Sequence, residues 1–228
     1  MQTKPNINRI FNDLAKNYDK LNNIISLGLH LNIKKQAVKN VPLKDDFKVL
    51  DICTGTGDVA IYIAKNITKN GKVTGIDFSE PMLAIAKRKA SNLKNIEFLN
   101  ADAMALPFED NEFDACFISF GLRNLPDYKQ ALLEMKRVTK NGGFVVNLDT
   151  GKPQGFLKFF YQIYFFKIMP ALGRFFHGNA SPYEYLAKSS KSFPSSKELV
   201  SMFEELGLKE VKSVNFLFGA ISQQIGEV

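Results

Sequence analysis

Apolar residues recur at three- and four-residue steps through Ile7, Ile10, Phe11, Leu14, Tyr18 and Leu21, which predicts one amphipathic helix ahead of any strand. Asn22, Asn23, Ser26, Gly28 and His30 interrupt that stripe. The chain is therefore expected to bend over 22–30 and resume as a second short helix through Ile33 and Val38. From Val49 the pattern changes. Short apolar runs at 49–52, 73–77, 96–99, 113–119 and 144–149 read as strands, and helices are expected at 58–68, after Ser79, and at 127–140. Ser79 is a ready N-cap with Pro81 in the first turn behind it, and Asn141, Gly142 and Gly143 form a turn before the fifth strand. A helix at 196–206 and strands at 209–217 and 219–225 close the chain. Strand and helix in alternation predict an α/β fold on a mostly parallel sheet covered on both faces.

The alternation fails over 155–177. Nine aromatic residues fall there together with Lys158, Lys167, Arg174 and Pro170, a stretch too broken by charge and proline to span a bilayer. It reads either as a helical insertion packed on the sheet or a second subunit, or as an aromatic face that lies on a bilayer or lines an entry for a long apolar substrate. At 228 residues and 45% hydrophobic content, the chain fits a single domain over 1–228, with an N-terminal helical arm at 1–40 and a substrate- or membrane-facing insertion at 155–190. The formal net charge of +7 is spread along helices, with Lys87-Arg88-Lys89 the densest run. Such charge fits a solvated basic face, or attraction to nucleic acid or to an anionic bilayer. Cys53 and Cys116 lack metal-ligand spacing, so no metal site is expected and a reducing cytoplasm suits the chain. Residues 1–6 lack the apolar core of a signal peptide.

Candidate chemistry begins where the first strand meets a carboxylate, Asp51, and opens into Gly55-Thr56-Gly57 before a helix. Such a loop exposes backbone N–H groups and makes an adenosine-bearing cofactor plausible. Asp51 stands where a pyrophosphate would otherwise pass, so a cofactor carrying an ammonium and a sulfonium suits the site better than one carrying phosphates. That cofactor is S-adenosylmethionine. Asp77, at the end of the second strand, is placed to accept from both ribose hydroxyls, and Asp102 can accept from an adenine amino group.

Several motifs taken together carry a family resemblance. Lys16-Asn17-Tyr18-Asp19 with Asn22, Ser26, Gly28 and His30, the run from Asp51 to Asp58, Leu106-Pro107-Phe108, and above all Ile118-Ser119-Phe120-Gly121-Leu122-Arg123-Asn124 resemble the ubiquinone/menaquinone biosynthesis C-methyltransferases. Gly151-Lys152-Pro153, Tyr185-Leu186 and Ser192-Phe193-Pro194 extend the likeness over nearly the whole chain, most closely to the bacterial demethylmenaquinone branch. The resemblance implies a class I, Rossmann-like, S-adenosylmethionine-dependent methyltransferase fold with a seven-stranded, mostly parallel sheet. It implies methyl transfer to a ring carbon of a polyprenylated quinol, demethylmenaquinol to menaquinol, by a cytoplasmic protein held peripherally at the inner face of the membrane. The alternatives are a methoxy-polyprenyl-benzoquinol acceptor and a non-catalytic cofactor-binding subunit of a lipid-quinone assembly. A homodimer is left open. No nucleic-acid partner is expected, because Ser119-Phe120-Gly121-Leu122 stands where amino-methylating enzymes commonly carry an Asn/Asp-Pro-Pro-Tyr/Phe run.

Carried over residue by residue, the resemblance assigns Gly55, Thr56, Gly57, Asp77, Asp102, Ala103 and Ser119 to the cofactor, and Tyr18, Asp58 and Arg123 to the acceptor ring. Three positions depart from the family: Asp102 replaces asparagine, Ile33 a tryptophan and Gln224 a histidine. Ring C-methylation needs an ionised ring hydroxyl, which at pH 7 costs about 4 kcal/mol for a group titrating near ~10. Arg123 cannot lose its charge, so it can stabilise that oxyanion and cannot be the base. Intrinsic basicity favours His30 as base over Asp58. Each also has a purely structural reading: Arg123 bracing the loop after the fourth strand, Asp58 at a helix dipole, His30 held by a carbonyl, and Tyr18 in the core.

Overall fold

Five apolar runs lie side by side in parallel: β1 (Lys48–Ile52), β2 (Lys72–Asp77), β3 (Ile96–Asn100), β4 (Phe113–Ser119) and β5 (Thr139–Thr150). Of these, β1, β2 and β4 are largely buried on both faces and β3 lies at the edge. A hairpin of β6 (Lys209–Phe216) and β7 (Ile221–Glu227) completes the sheet antiparallel to β5, in the order β3-β2-β1-β4-β5-β7-β6. The computed structural model describes residues 12, 14–26, 28–153, 158–159, 163–164, 168 and 181–228. Its described helices are α1 (Tyr18–Ile25), α2 (His30–Lys39), α3 (Asp58–Asn66), α4 (Glu80–Lys89), α5 (Tyr128–Val138), α6 (Ser181–Ser192) and α7 (Ser196–Glu205).

Successive strand residues point to opposite faces and feed two cores. Leu50, Ile52, Ile118 and Val145 pack with Leu132, Met135, Leu199 and Phe203 of α5 and α7. Val49, Val73, Phe117 and Val146 pack with Val59, Ile63, Leu83 and Ala86 of α3 and α4. The chain leaves β1 for β2 and β3 on one side, then returns to β4 on the other. The carboxyl ends of β1 and β4 therefore border the switch-point crevice where open α/β sheets hold ligands.

The expected elements are present, with differences that have local causes. Asn22 and Asn23 belong to α1, which runs on to Ile25; the bend is confined to 26–29, where Gly28 takes φ 78° and the Ser26 hydroxyl donates to Asn22 O at 2.6 Å. The three residues before α1, Ala15–Asn17, form a 3₁₀ turn, and the expected helix at 7–11 lies outside the described residues. Asn141, Gly142 and Gly143 fall inside β5 instead of preceding it, since Gly142 N–H and Gly143 O pair with Val228. α3 ends at Asn66, and β7 continues to Glu227. Ser79 caps α4 through the Met82 amide with Pro81 in the first turn. Of the aromatic insertion, only 158–159, 163–164 and 168 are described within 155–177. Among the described residues, no helix is long and apolar enough to cross a membrane.

The turn between β6 and β7 holds Leu217 at φ 47° and Phe218 at φ 57°, a left-handed conformation that costs a non-glycine residue roughly 1–2 kcal/mol. In β2, a Cβ on Gly75 would stand 2.7 Å from the Phe98 ring and 3.0 Å from the Thr54 hydroxyl oxygen. Gly75→Val is therefore expected to lower stability by about 1–3 kcal/mol through overpacking. Urea unfolding followed by circular dichroism reads this as a lower midpoint with an unchanged slope; an unchanged midpoint would refute the tight packing.

Candidate active site

Asp51 is buried within β1, one residue before the strand ends. Its Oδ2 accepts from the Thr54 hydroxyl at 2.6 Å and from the Ala60 amide at 3.1 Å, while Oδ1 is buried with no partner among the described residues. Burial pushes this carboxyl up to about 7, against those hydrogen bonds and the Lys34 charge. Beyond it the backbone turns through positive φ at Cys53, Gly55 and Gly57. The two glycines serve different ends. A Cβ on Gly55 would meet only Tyr18, at 3.8 Å, so this backbone faces open space, whereas one on Gly57 would press on Ala86, Ile61 and Phe98 at 3.0–3.2 Å. Gly55 leaves open space beside its backbone; the missing Cβ of Gly57 allows helix and sheet to close.

Asp77 ends β2 and accepts from the Gly55 amide on one oxygen, at 2.8 Å, and the Ser79 amide on the other, at 2.9 Å. Burial raises its pKa against those two amides. Asp102, exposed after β3, accepts from the Met104 amide at 2.8 Å, Ala103 beside it is buried, and Ser119 is the last residue of β4. The Cys53 thiol reports how these groups converge. Its pKa is raised well above the ordinary range, first by burial and then by Asp77, Asp51, Asp149 and Asp102. The crevice thus has a rim of carboxylates that suits a cation.

The arm closes one side of this crevice. Asp19 of α1 accepts from the Thr56 hydroxyl at 2.6 Å, so that hydroxyl is committed to the arm and not free for a ligand. Lys89, the last residue of α4, binds Asp19 at 3.2 Å, Thr56 at 3.3 Å and Asp58 at 2.6 Å. Lys34 reaches Asp58 from α2 at 3.0 Å, and the Ser79 hydroxyl donates to Asn12 at 2.6 Å. Burial alone would raise the Asp58 pKa, but Lys34 and Lys89 outweigh it and hold the carboxyl at about 2. His30 opens α2, buried, with Nδ1 bonded to the Ser26 hydroxyl at 2.9 Å. Burial and then Lys34 lower its pKa, outweighing the carboxylates of Asp58 and Asp19. Tyr18 is half-buried over the glycine loop and not in the core.

On the other side, Arg123 occupies the turn after β4. Its guanidinium donates to Asp149 Oδ1 at 2.6 Å and Phe120 O at 2.7 Å, and its amide donates to Asp149 Oδ2 at 3.2 Å. Both side chains are nearly closed to solvent, at 7% and 0% exposure. Burial disfavours the guanidinium's charge, but Asp149 more than restores it; Tyr18 and Tyr185 also lie within electrostatic reach. Nε is buried with no partner among the described residues. The Tyr185 hydroxyl donates to Asn124 Oδ1 at 3.2 Å.

The structure brings the glycine loop, Asp51, Asp77, Tyr18, Asp58 and Arg123 around one crevice. Gln224 stands apart: it is buried in β7, accepts from Asn147 and donates to Ser196 and Ser222, so the family histidine is replaced by a residue serving the sheet. Asp149, Lys34, Lys89 and Asp19 were not singled out as site residues from sequence. Asp149 carries the same signal as Asp51 and Asp77, a carboxylate closing an apolar run. The lysines carry none, because they meet Asp58 from 24 and 31 residues away.

The chain matches the model of the ubiE/COQ5 methyltransferase family over residues 1–227. It is 44% identical over 224 residues to a demethylmenaquinone methyltransferase of Staphylococcus aureus (strain JH9), covering 98% of this chain and 93% of that protein. In fold it resembles a SAM-dependent methyltransferase from Aquifex aeolicus, with a TM-score of 0.69, 24% identity, and 95% and 98% of the two chains covered. It also resembles phosphoethanolamine N-methyltransferase 2 of Haemonchus contortus in complex with S-adenosyl-L-methionine, with a TM-score of 0.67, 16% identity, and 95% and 59% of the chains covered.

Asp149→Asn should lower stability by about 3–5 kcal/mol, because it strands a buried guanidinium that cannot deprotonate. Urea denaturation at pH 7 measures this. A loss under 1 kcal/mol, the size typical of an exposed pair, would mean the pair is not sealed from water.

Proposed function

The chain belongs to the ubiE/COQ5 methyltransferase family, and from that premise we propose that it transfers a methyl group from S-adenosylmethionine to a ring carbon of a polyprenylated quinol, demethylmenaquinol to menaquinol. The observation that carries this reading is the Arg123 guanidinium, a permanent cation at the rim of the crevice with Nε–H lacking an acceptor among the described residues.

The crevice suits the cofactor. Asp51 Oδ1 is a buried acceptor matched to an ammonium, and Gly55 leaves its backbone open. Asp77 keeps lone pairs for ribose hydroxyls, Asp102 and Ala103 flank the adenine, and Ser119 lies toward the methionine part. The Thr56 contribution is its backbone, since its hydroxyl holds Asp19. Bound there, S-adenosylmethionine supplies a methyl group made electrophilic by its sulfonium.

The protein's own task is to raise the nucleophilicity of the ring carbon. Arg123 faces the ring oxygen and stabilises it as the hydroxyl ionises, in a site where burial strengthens the attraction. Tyr18 and Asn124 orient the ring beside it. Of the two candidate bases, Asp58 is held at about 2 by Lys34 and Lys89 and takes up a proton poorly. His30, lowered from 6.5, is uncharged at pH 7 and able to accept one. We extend the reading to peripheral association with the anionic inner face of the membrane: a polyprenyl tail partitions there, and a net charge of +7 favours that surface.

Methyl transfer from labelled S-adenosylmethionine, with reduced demethylmenaquinone and the reduced demethylated ubiquinone precursor side by side in detergent micelles, tests the assignment. Label should enter the naphthoquinol. Label in the benzoquinol alone would move the substrate to ubiquinone chemistry, and label in neither, with cofactor binding intact, would overturn the enzymatic reading.

Asp51 supplies a second test. Its carboxyl is raised to about 7, and a bound ammonium stabilises only the charged form. Binding below pH 7 must therefore expel a proton, so cofactor affinity should rise with pH from 6 to 8, by up to roughly tenfold per unit below the pKa. Calorimetry in buffers of different ionisation enthalpy measures the released proton. Asp51→Asn should lose both the proton release and most of the affinity.

A further inference from the structure

Leu217 and Phe218 form the tip of the β6–β7 hairpin, and two unfavourable choices coincide there. Both side chains stand in solvent, Leu217 at 47% and Phe218 at 79% exposure. Both backbones are left-handed, at φ 47° and 57°, with Ala220 N–H closing the turn on Leu217 O at 3.1 Å. Left-handed backbone positions favour Gly and Asn. A sequence selected only for folding would not put Leu-Phe in that position, because neither the strain nor the exposure is repaid within the described structure.

The tip is firmly mounted. Phe216 and Ile221 at its base pack with Ile33, Ala37, Leu148 and Phe120. Gly151 N–H donates to Ala220 O at 2.8 Å, and a Cβ on Gly151 would stand 2.3 Å from Gly219 O. The hairpin therefore bears on the point where the chain leaves the sheet toward the aromatic segment. Phe159, six residues beyond Pro153 and so within roughly 20 Å of it along the chain, is 62% exposed, and Lys152 and Lys158 are exposed beside this path. Large apolar side chains outside the core, flanked by cations, are the chemistry of an anionic bilayer interface. A second copy of the chain would bring the same lysines against themselves.

We propose that the Leu217–Phe218 tip is a wedge that dips into an anionic bilayer and sets the crevice against the surface from which the quinol is drawn. This rests on the polyprenylated-quinol reading above. The wedge commits the bilayer to one edge of the sheet, the β6–β7 end, next to the start of the aromatic segment.

The test replaces Leu217-Phe218 with Asn-Gly, as the double variant Leu217→Asn, Phe218→Gly, in the full chain. Co-sedimentation is measured with vesicles of phosphatidylethanolamine and phosphatidylglycerol, alongside thermal unfolding, oligomeric state, and methyl transfer to a short-tailed quinol in micelles and a long-tailed quinol in vesicles. The expected result is a Tm equal to or above that of the parent, because strain is relieved, with vesicle binding weakened roughly tenfold or more. Turnover of the short-tailed quinol should be unchanged, and KM for the long-tailed quinol in vesicles should rise. Vesicle binding unchanged in the variant would overturn the wedge, as would a parent protein that methylates quinols in micelles but ignores vesicles. A parent dimer that the variant abolishes would reassign the tip to a second copy. Failure to methylate any quinol in micelles would instead defeat the reading on which the wedge rests.

Discussion

Carboxylates gathered at one end of a parallel sheet repel one another in a low-dielectric crevice, and the local structure here is organised around relieving that repulsion. Asp51 receives a hydroxyl and an amide, Asp77 two amides, Asp102 one, and Asp149 a guanidinium with the amides of Arg123 and Thr150. The Gly55 amide that Asp77 receives comes from a turn with positive φ at Cys53 and Gly55. Loop geometry and carboxylate placement are thus one constraint. The acceptor left over, Asp51 Oδ1, is buried without a partner among the described residues, and a positive charge beside it would lower the energy of the arrangement.

Burial decides the division of labour among the charged groups. Arg123 and Asp149 form a closed pair that holds the guanidinium in fixed orientation and braces the loop after β4. The structural reading of Arg123, a brace for the loop after β4, is the contact the structure holds. Asp58 differs: two lysines make it a strong anchor for the arm and, by the same attraction, a weak base.

The parallel sheet was legible because its strands are short apolar runs, two of which close at or beside a carboxylate, Asp51 in β1 and Asp77 in β2. The packing at Gly57 was not, since nothing in the sequence brings Ala86, Ile61 and Phe98 around it. The end of α1 was misjudged because Asn22 and Asn23 look like helix breakers, yet Asn22 O accepts both bonds that close the helix. Lys34 and Lys89 were invisible for a different reason. Their meaning lies in Asp58, which only the folding of α2 and α4 against α3 brings to them.

Lys89 joins the arm, the glycine loop and the start of α3 through one ammonium group. A single ammonium serving three segments makes them share a fate: when it lets go, the cover, the floor and the helix entry loosen together. The sheet below is held by apolar contacts indifferent to ionic strength, while the cover is held by partly hydrated charges. The attachment of the arm and the glycine loop through Lys89 is therefore sensitive to the salt of the surrounding medium, and the apolar packing of the sheet beneath them far less so.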